Sequence, residues 1–312
     1  MIISASRRTD IPAFYTRWFM NRIHAGYCTV PNPFNLNQVS RVSLLPEDTE
    51  VIVFWTRNAA PLLPHLTKLD QQGYRYYFQY TLLDYPRELD PKTRPAKSNI
   101  NTLKRLSDQI GSEKVIWRYD PIVFSDATGV SFHLAKFSEI AKKLHGYTRR
   151  VVISIMDPYR KAGKRLRLLN ENGFNIIFDF NTESQRFKKM ISTMRDIAES
   201  YQMEITSCSE EINLADLGVK RGKCIDDDLI KQVFNIDVTH KKDPYQREAC
   251  GCVVSKDIGV YDTCLYGCQY CYATQSFKRS KLNFKQHDPT SPSLIGHYES
   301  EKSTKSKQRK LF

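Results

Sequence analysis

The stretch Val51-Ile-Val-Phe-Trp55, followed by Pro61 to Gln72, Gly73 and then Tyr74 to Leu82, decides the fold class. Five consecutive apolar residues read as a strand. A helix-like stretch follows, with proline at its start and glycine at its end. A second apolar, aromatic-rich strand comes next. Working outward, the same unit recurs. Ile2-Ile-Ser-Ala-Ser6 is a strand followed by a helix over Phe14 to Ile23. Val115-Ile-Trp-Arg-Tyr119 is a strand followed by Leu134, Phe137, Ile140, Ala141 and Leu144 at helical spacing. Val151 to Ile155, Asn175 to Phe180 and Met203 to Thr206 read as further strands. Phe187, Met190, Ile191, Met194, Ile197, Ala198 and Tyr201 form the clearest helical stripe, and Ile258 to Tyr261 reads as the last strand. Strand–helix alternation predicts parallel strands with crossover helices. With seven or eight strands, the expected α/β fold is a (β/α) barrel or partial barrel of the TIM type. An open doubly wound sheet is the alternative.

Composition bounds the function. The chain has 312 residues, 41% hydrophobic and 26% charged, with net charge +13. That apolar fraction supports a sizeable core. No apolar run reaches the roughly 20 residues of a membrane helix, and the N-terminus lacks a signal-peptide core. A soluble cytoplasmic protein is expected. Residues 277–312 carry nine Lys/Arg against three Asp/Glu, and read as a basic, solvated extension of a single domain over 1–276. Nucleic acid is a candidate partner for that basic surface. The aromatics Tyr74, Tyr76, Tyr77, Phe78, Tyr80 and Tyr85 read either as a packed strand or as a stacking platform for bases. No glycine-rich phosphate motif follows the first strand, so a nicotinamide site has no support.

The eight cysteines carry the chemistry. Five of them fall within residues 250–271, in Cys250-Gly-Cys252 and Cys264-Leu-Tyr-Gly-Cys268-Gln-Tyr270-Cys271. A thiol cluster in a reducing compartment points to metal rather than disulfides. Three thiolates spaced C-x3-C-x2-C on one loop can hold three irons of a 4Fe–4S cluster and leave the fourth open. Gly267 lets the backbone pass close to it. A zinc knuckle, or an electron-transfer cluster with a distant fourth ligand, is the alternative.

This loop resembles the C-x3-C-x-aromatic-C motif of the radical SAM superfamily, with Tyr270 in the aromatic place. The resemblance implies that the amino and carboxylate groups of S-adenosylmethionine chelate the open iron. It implies reductive cleavage to a 5′-deoxyadenosyl radical, with an electron donor such as a flavodoxin or ferredoxin. It also implies that Tyr270 packs beside the adenine. In most of that superfamily the motif follows the first barrel strand; here it follows the last, as though permuted. The whole chain resembles a family of uncharacterised bacterial proteins with a C-terminal cluster of this kind. The matching stretches are Ser4-Ala-Ser-Arg-Arg-Thr-Asp-Ile-Pro12, Cys224-Ile-Asp226, Asp243-Pro-Tyr-Gln246-Arg247 and 250–273.

Cys208, Cys224, Cys250 and Cys252 are the four ligands of a closed site, either a second cluster or zinc, or are unligated. Cys28 reads as apolar filler. Active groups of (β/α) barrels sit at the C-terminal ends of strands. That rule selects Arg7, Arg8, Asp10, Arg57, Asn58, Gln79, Tyr80, Arg118, Tyr119, Asp120, Ser154 and Asp157, and among them Arg8, Asp10 and Arg118 as catalytic candidates. The expected function is a radical SAM-like enzyme of unassigned substrate. The alternative is a non-catalytic iron–sulfur or zinc protein, with nucleic acid as its candidate ligand.

Overall fold

The computed structural model describes residues 1–298 apart from 34, 158, 159, 209 and 211. The chain order is β1 (Ile2–Ala5), α1 (Ile11–Phe14), α2 (Thr16–Ala25), β2 (Tyr27–Asn32), β3 (Asn35–Ser43), β4 (Val51–Thr56), α3 (Leu63–Gln71) and β5 (Tyr76–Thr81). Then come α4 (Ala96–Ile110), β6 (Val115–Ile122), α5 (Val130–Leu144), β7 (Arg150–Ile155), α6 (Arg160–Glu171), α7 (Gln185–Ser200), β8 (Glu204–Cys208), β9 (Lys220–Gly222), α8 (Asp227–Phe234), β10 (Lys256–Asp257) and α9 (Phe277–Lys285).

Eight strands form one sheet in the order β10-β1-β4-β5-β6-β7-β8-β9, and every pairing in it is parallel. From β1 to β9 each new strand joins the same side, so the winding never reverses. The final strand returns to the opposite side of β1. An antiparallel hairpin, β2–β3, stands outside this sheet.

Strand alternation divides the apolar residues between two faces. One face carries Ile3, Ile52, Phe54, Phe78, Trp117 and Ile153 and packs on the crossover helices. The other carries Ile2, Val51, Val53, Tyr77, Ile116 and Val152. These six gather into a second core with Leu229 and Ile230 of α8 and with Cys224, Cys250, Cys252 and Val253. Both faces are buried, which explains the unbroken apolar run Val51–Phe54.

Several sequence expectations are corrected. The span from Asn175 to Phe180 is not a strand and contributes one isolated bridge, Ser125 with Ile176. The last strand is Lys256–Asp257, just before the apolar run 258–261. Its pairing with β1 is fixed by backbone and by Asp257 rather than by hydrophobicity. The first 22 residues of the expected tail are ordered against the domain. Ser276 caps α9 by accepting from the Arg279 amide. The chain then crosses α2 and β2, where Trp18 Nε1 donates to Ser291 O at 3.0 Å and Thr29 N to Pro292 O at 2.9 Å. Leu294, only 1% exposed, is the apolar anchor that the surrounding basic composition hides. Residues 299–312 lie outside the described residues. Among those described, no helix is long and apolar enough to cross a membrane. The stacking-platform reading of Tyr74–Tyr85 fails, because all six aromatics are buried.

Candidate functional site

The cysteine loop begins where β10 ends beside β1. Asp257 joins the two: its carboxylate accepts from Ser6 Oγ at 2.6 Å, Ser4 Oγ at 3.1 Å and the amides of Arg7 and Gly259 at 2.9 Å. Residue 259 has to be glycine, because a Cβ there would meet Ser6 Oγ at 2.0 Å. The far end of the loop is tied by Asp262, which accepts from Gln275 N at 2.6 Å and Ser276 N at 3.0 Å. Gly267, at φ 73°, makes the turn between the first two cysteines in the left-handed region that glycine favours.

Cys264, Cys268 and Cys271 lie close together: Cys268 feels the charge of both others, and Cys264 that of Cys271. Burial pushes the Cys264 thiol up to about 12, reinforced by Cys271 and Asp10 and opposed by hydrogen bonds from the Tyr266 and Asp10 amides. Burial likewise raises Cys268, with Asp90 adding to it and Arg57 opposing. Unligated, Cys264 and Cys268 are held as thiols; a bound cation would replace their protons.

Arg57, just past β4, is buried in this site. Its guanidinium pairs with Asp90 at 2.6 and 3.0 Å, reaches Cys268 Sγ at 2.8 Å and touches the Tyr270 hydroxyl at 3.0 Å. Tyr270 also donates to Asp90 at 2.9 Å and sets its ring edge-on to Tyr85 at 5.9 Å. From the opposite side, α6 supplies Arg165. It donates to the carbonyls of Cys271 (2.6 Å), Thr274 (2.7 Å), Gln269 (3.0 Å) and Gln275 (3.3 Å). One guanidinium therefore draws together the carbonyl groups of the whole second half of the loop.

The catalytic candidates divide. Asp10 accepts from Thr56 Oγ1 and Arg57 N at 2.7 Å and from Ala13 N at 2.9 Å, while its own amide faces Cys264. Burial raises its carboxyl to about 7 against those hydrogen bonds. Arg8 reaches Gly259 O at 3.4 Å and lies over Tyr261, with 5.1 Å between guanidinium carbon and ring centroid. Arg118 is elsewhere, on the face of the second core. It donates to Cys224 Sγ at 2.8 Å, to Gln79 Oε1 at 3.2 Å and to Asp120 at 2.5 and 3.0 Å, and it stands over Trp55. Asp120 in turn takes the Ser154 hydroxyl.

The remaining thiols gather at the second core, where Arg118 touches Cys224 and Arg7 lies near Cys252. Cys208 at the end of β8, Cys224 after β9, and Cys250 and Cys252 ahead of β10 join the same cluster of side chains. Cys28 belongs to neither set and packs in the main core.

Beside this second group, past β6 and β7, lies a cavity of about 210 Å³ lined by Ile122, Phe124, Ile155, Met156, Phe180 and Glu210 among others. Burial pushes the Glu210 carboxyl up to about 8, although the Ile155 amide donates to it at 2.7 Å. Asp157, another strand-end candidate, pairs instead with Arg247 at 2.7 Å.

The strand-end rule thus reached Arg57, Arg118 and Asp10. It missed Asp90, Arg165, Asp257, Asp262 and Glu210. The two aspartates inside 250–273 were legible as the only acids of that segment. Arg165 is one basic residue among several in α6 and carries no local signal.

The fold and site together define an α/β protein with a one-way parallel sheet and a loop of three clustered cysteines at its C-terminal side. Residues 2–273 match the family described as Domain of unknown function (DUF1848), and the chain belongs to it. No curated protein sequence matches the chain.

Proposed function

We propose that this protein is a radical SAM-type enzyme on a partial (β/α) barrel, with Cys264, Cys268 and Cys271 as ligands of a 4Fe–4S cluster. The observation that carries the reading is the separation of the thiols into two groups. The C-x3-C-x2-C loop keeps three sulfurs to itself, while the other four contact one another at the second core. Three ligands leave one iron free, as S-adenosylmethionine binding requires.

The donor set fits such a group. The three thiols are clustered, two backbone amides face Cys264, and a guanidinium sits on Cys268. Hydrogen bonds and cationic charge at the sulfurs are the means by which a protein holds and tunes a cluster. When bound, the cluster supplies the electron that cleaves the sulfonium and releases the 5′-deoxyadenosyl radical. The chain's residues do the rest. Arg57 and Asp90 fix Tyr270, whose ring borders the loop, and Arg165 keeps the loop in one conformation. We assign the methionine carboxylate to Arg8, whose planar fork suits a carboxylate. Burial of the second core against its face of the sheet keeps bulk water from that face.

The test is direct. Anaerobically reconstituted protein, given dithionite and S-adenosylmethionine, is expected to release 5′-deoxyadenosine, and Cys268→Ala to release none. A fully loaded wild type that yields none overturns the proposal.

A further inference from the structure

Cys208, Cys224, Cys250 and Cys252 come from three separate chain segments and converge within the second core, away from the C-x3-C-x2-C loop. Cys208 Sγ and Cys224 Sγ are 3.0 Å apart. Hydrogen-bonding contacts continue from Cys224 to Cys252 and from Cys252 to Cys250. The amides of Cys224 and Ile225 point at Cys252 Sγ at 3.3 and 3.4 Å, and Arg118 Nη1 reaches Cys224 Sγ at 2.8 Å. Tyr77 and Gln79 both donate to the Cys224 carbonyl, at 2.7 and 2.9 Å, and so fix its backbone from beneath. Arg7 also faces the group. Its charge is felt by Cys252 and Cys224, and its buried Nη2 has no hydrogen-bond partner.

We infer that these four cysteines hold a second, coordinatively closed iron–sulfur core on the inner face of the sheet. Two arguments select this occupant. The first is charge. Four thiolates are more negative charge than the second core can hold alone, since Arg118 is already paired with Asp120 and Arg7 lies beside Asp257, so the occupant is a cation. Zn²⁺ and an oxidised iron–sulfide core both qualify.

The second argument is spacing. Zinc–sulfur bonds of about 2.3 Å in a tetrahedron put all four sulfurs roughly 3.8 Å apart. Here the sulfurs form an open chain, 208–224–252–250. Among the described residues no three cysteine sulfurs lie within 4.8 Å of one another, and the sole trio of candidate ligands that does is Asp226, Asp227 and Asp228. An open chain of thiols suits a core that spreads its ligands over more than one iron. With four protein ligands no iron is left open, so this centre stores or passes an electron and does not bind substrate. The donors on Cys224 and Cys252 are of the kind that set a cluster's potential.

The inference is independent of the radical SAM reading, and its test keeps the two apart. Protein carrying Cys264→Ser, Cys268→Ser and Cys271→Ser together lacks the loop ligands. Purified anaerobically, it is expected to retain iron and acid-labile sulfide in equal amounts, with visible absorption bleached by dithionite. Adding Cys224→Ser is expected to remove both. Zinc without sulfide, or no metal in triple-variant protein whose circular dichroism matches wild type, overturns the inference. If the triple variant does not fold, Arg118→Gln in the otherwise native chain decides. Removing a positive charge from beside Cys224 is expected to shift one reductive transition of the loaded protein to lower potential. A titration identical to wild type counts against a cluster there. A wild type that makes no 5′-deoxyadenosine, beside a triple variant that keeps its iron and sulfide, sinks the loop reading alone.

Discussion

Asp90 and Glu210 show what a single buried carboxyl does in this molecule. Asp90 is 2% exposed and is the counter-ion that lets Arg57 lie against Cys268. Removing one partner of such a pair leaves an unpaired buried charge, at a cost of about 3–5 kcal/mol. Asp90→Ala is therefore expected to lower unfolding stability by about that amount in urea denaturation; a loss below 1 kcal/mol would mean that solvent reaches Arg57. Glu210 acts through protons. Its folded pKa is raised from 4.5 to about 8, so between those values the native state keeps a proton that the unfolded chain has lost. Stability from this group is full below the lower value and is lost as pH rises through the upper one. Glu210→Gln cannot titrate, so its melting temperature is expected to fall less than that of wild type between pH 5 and 8.5. Parallel curves would place Glu210 in contact with water. Neither residue was legible in the sequence, since an acid followed by proline, or one two residues past a cysteine, looks like any surface acid. Burial assigns their roles, and burial is settled by distant elements.

At the scale of elements, legibility followed hydrophobic pattern. The doubly buried strands and the stripe of α7 announce themselves because their apolar residues recur at the period of the element. β9 and β10 have three and two residues and no such pattern, so their pairing rests on hydrogen bonds to β8 and β1. The hairpin strand β3 is almost wholly exposed and gives no alternation. α6 is the element whose importance pattern cannot reveal, because its contribution to the cysteine loop is one arginine. In Arg165→Ala the carbonyls of Gln269, Cys271, Thr274 and Gln275 lose their shared donor. The domain's core is untouched, so the global melting temperature is expected to stay within a few degrees of wild type. Amide exchange across 264–275 is expected to rise at least tenfold, and iron retained by the loop to fall. Unchanged exchange there would show that Asp257 and Asp262 hold the loop without help from α6.

Across the whole molecule, the order of the strands matters more than their number. A doubly wound sheet changes direction at a switch point between its strands. This sheet runs one way from β1 to β9, and the chain then returns to the far side of β1. The segment before β10 meets the segment after β9 on the way: Val253 N donates to Ile225 O at 3.2 Å, and the Cys224 and Ile225 amides reach Cys252 Sγ. The last 50 residues described thus touch both ends of the sheet, supply five of the eight cysteines and bury Trp18 from outside. That explains why a motif so late in the chain can still sit beside β1. It also makes the C-terminal segment part of the folding unit. A chain ending at residue 249 loses β10, the loop and the strap across Trp18, and bares the parallel edge of β1. Such an edge pairs with other chains, so this fragment is expected to aggregate or to unfold without a cooperative transition. A soluble 1–249 fragment with a sharp, near-native melt would show that the sheet stands without its closing segment, and that the cysteine loop is an appendage rather than the last piece of the fold.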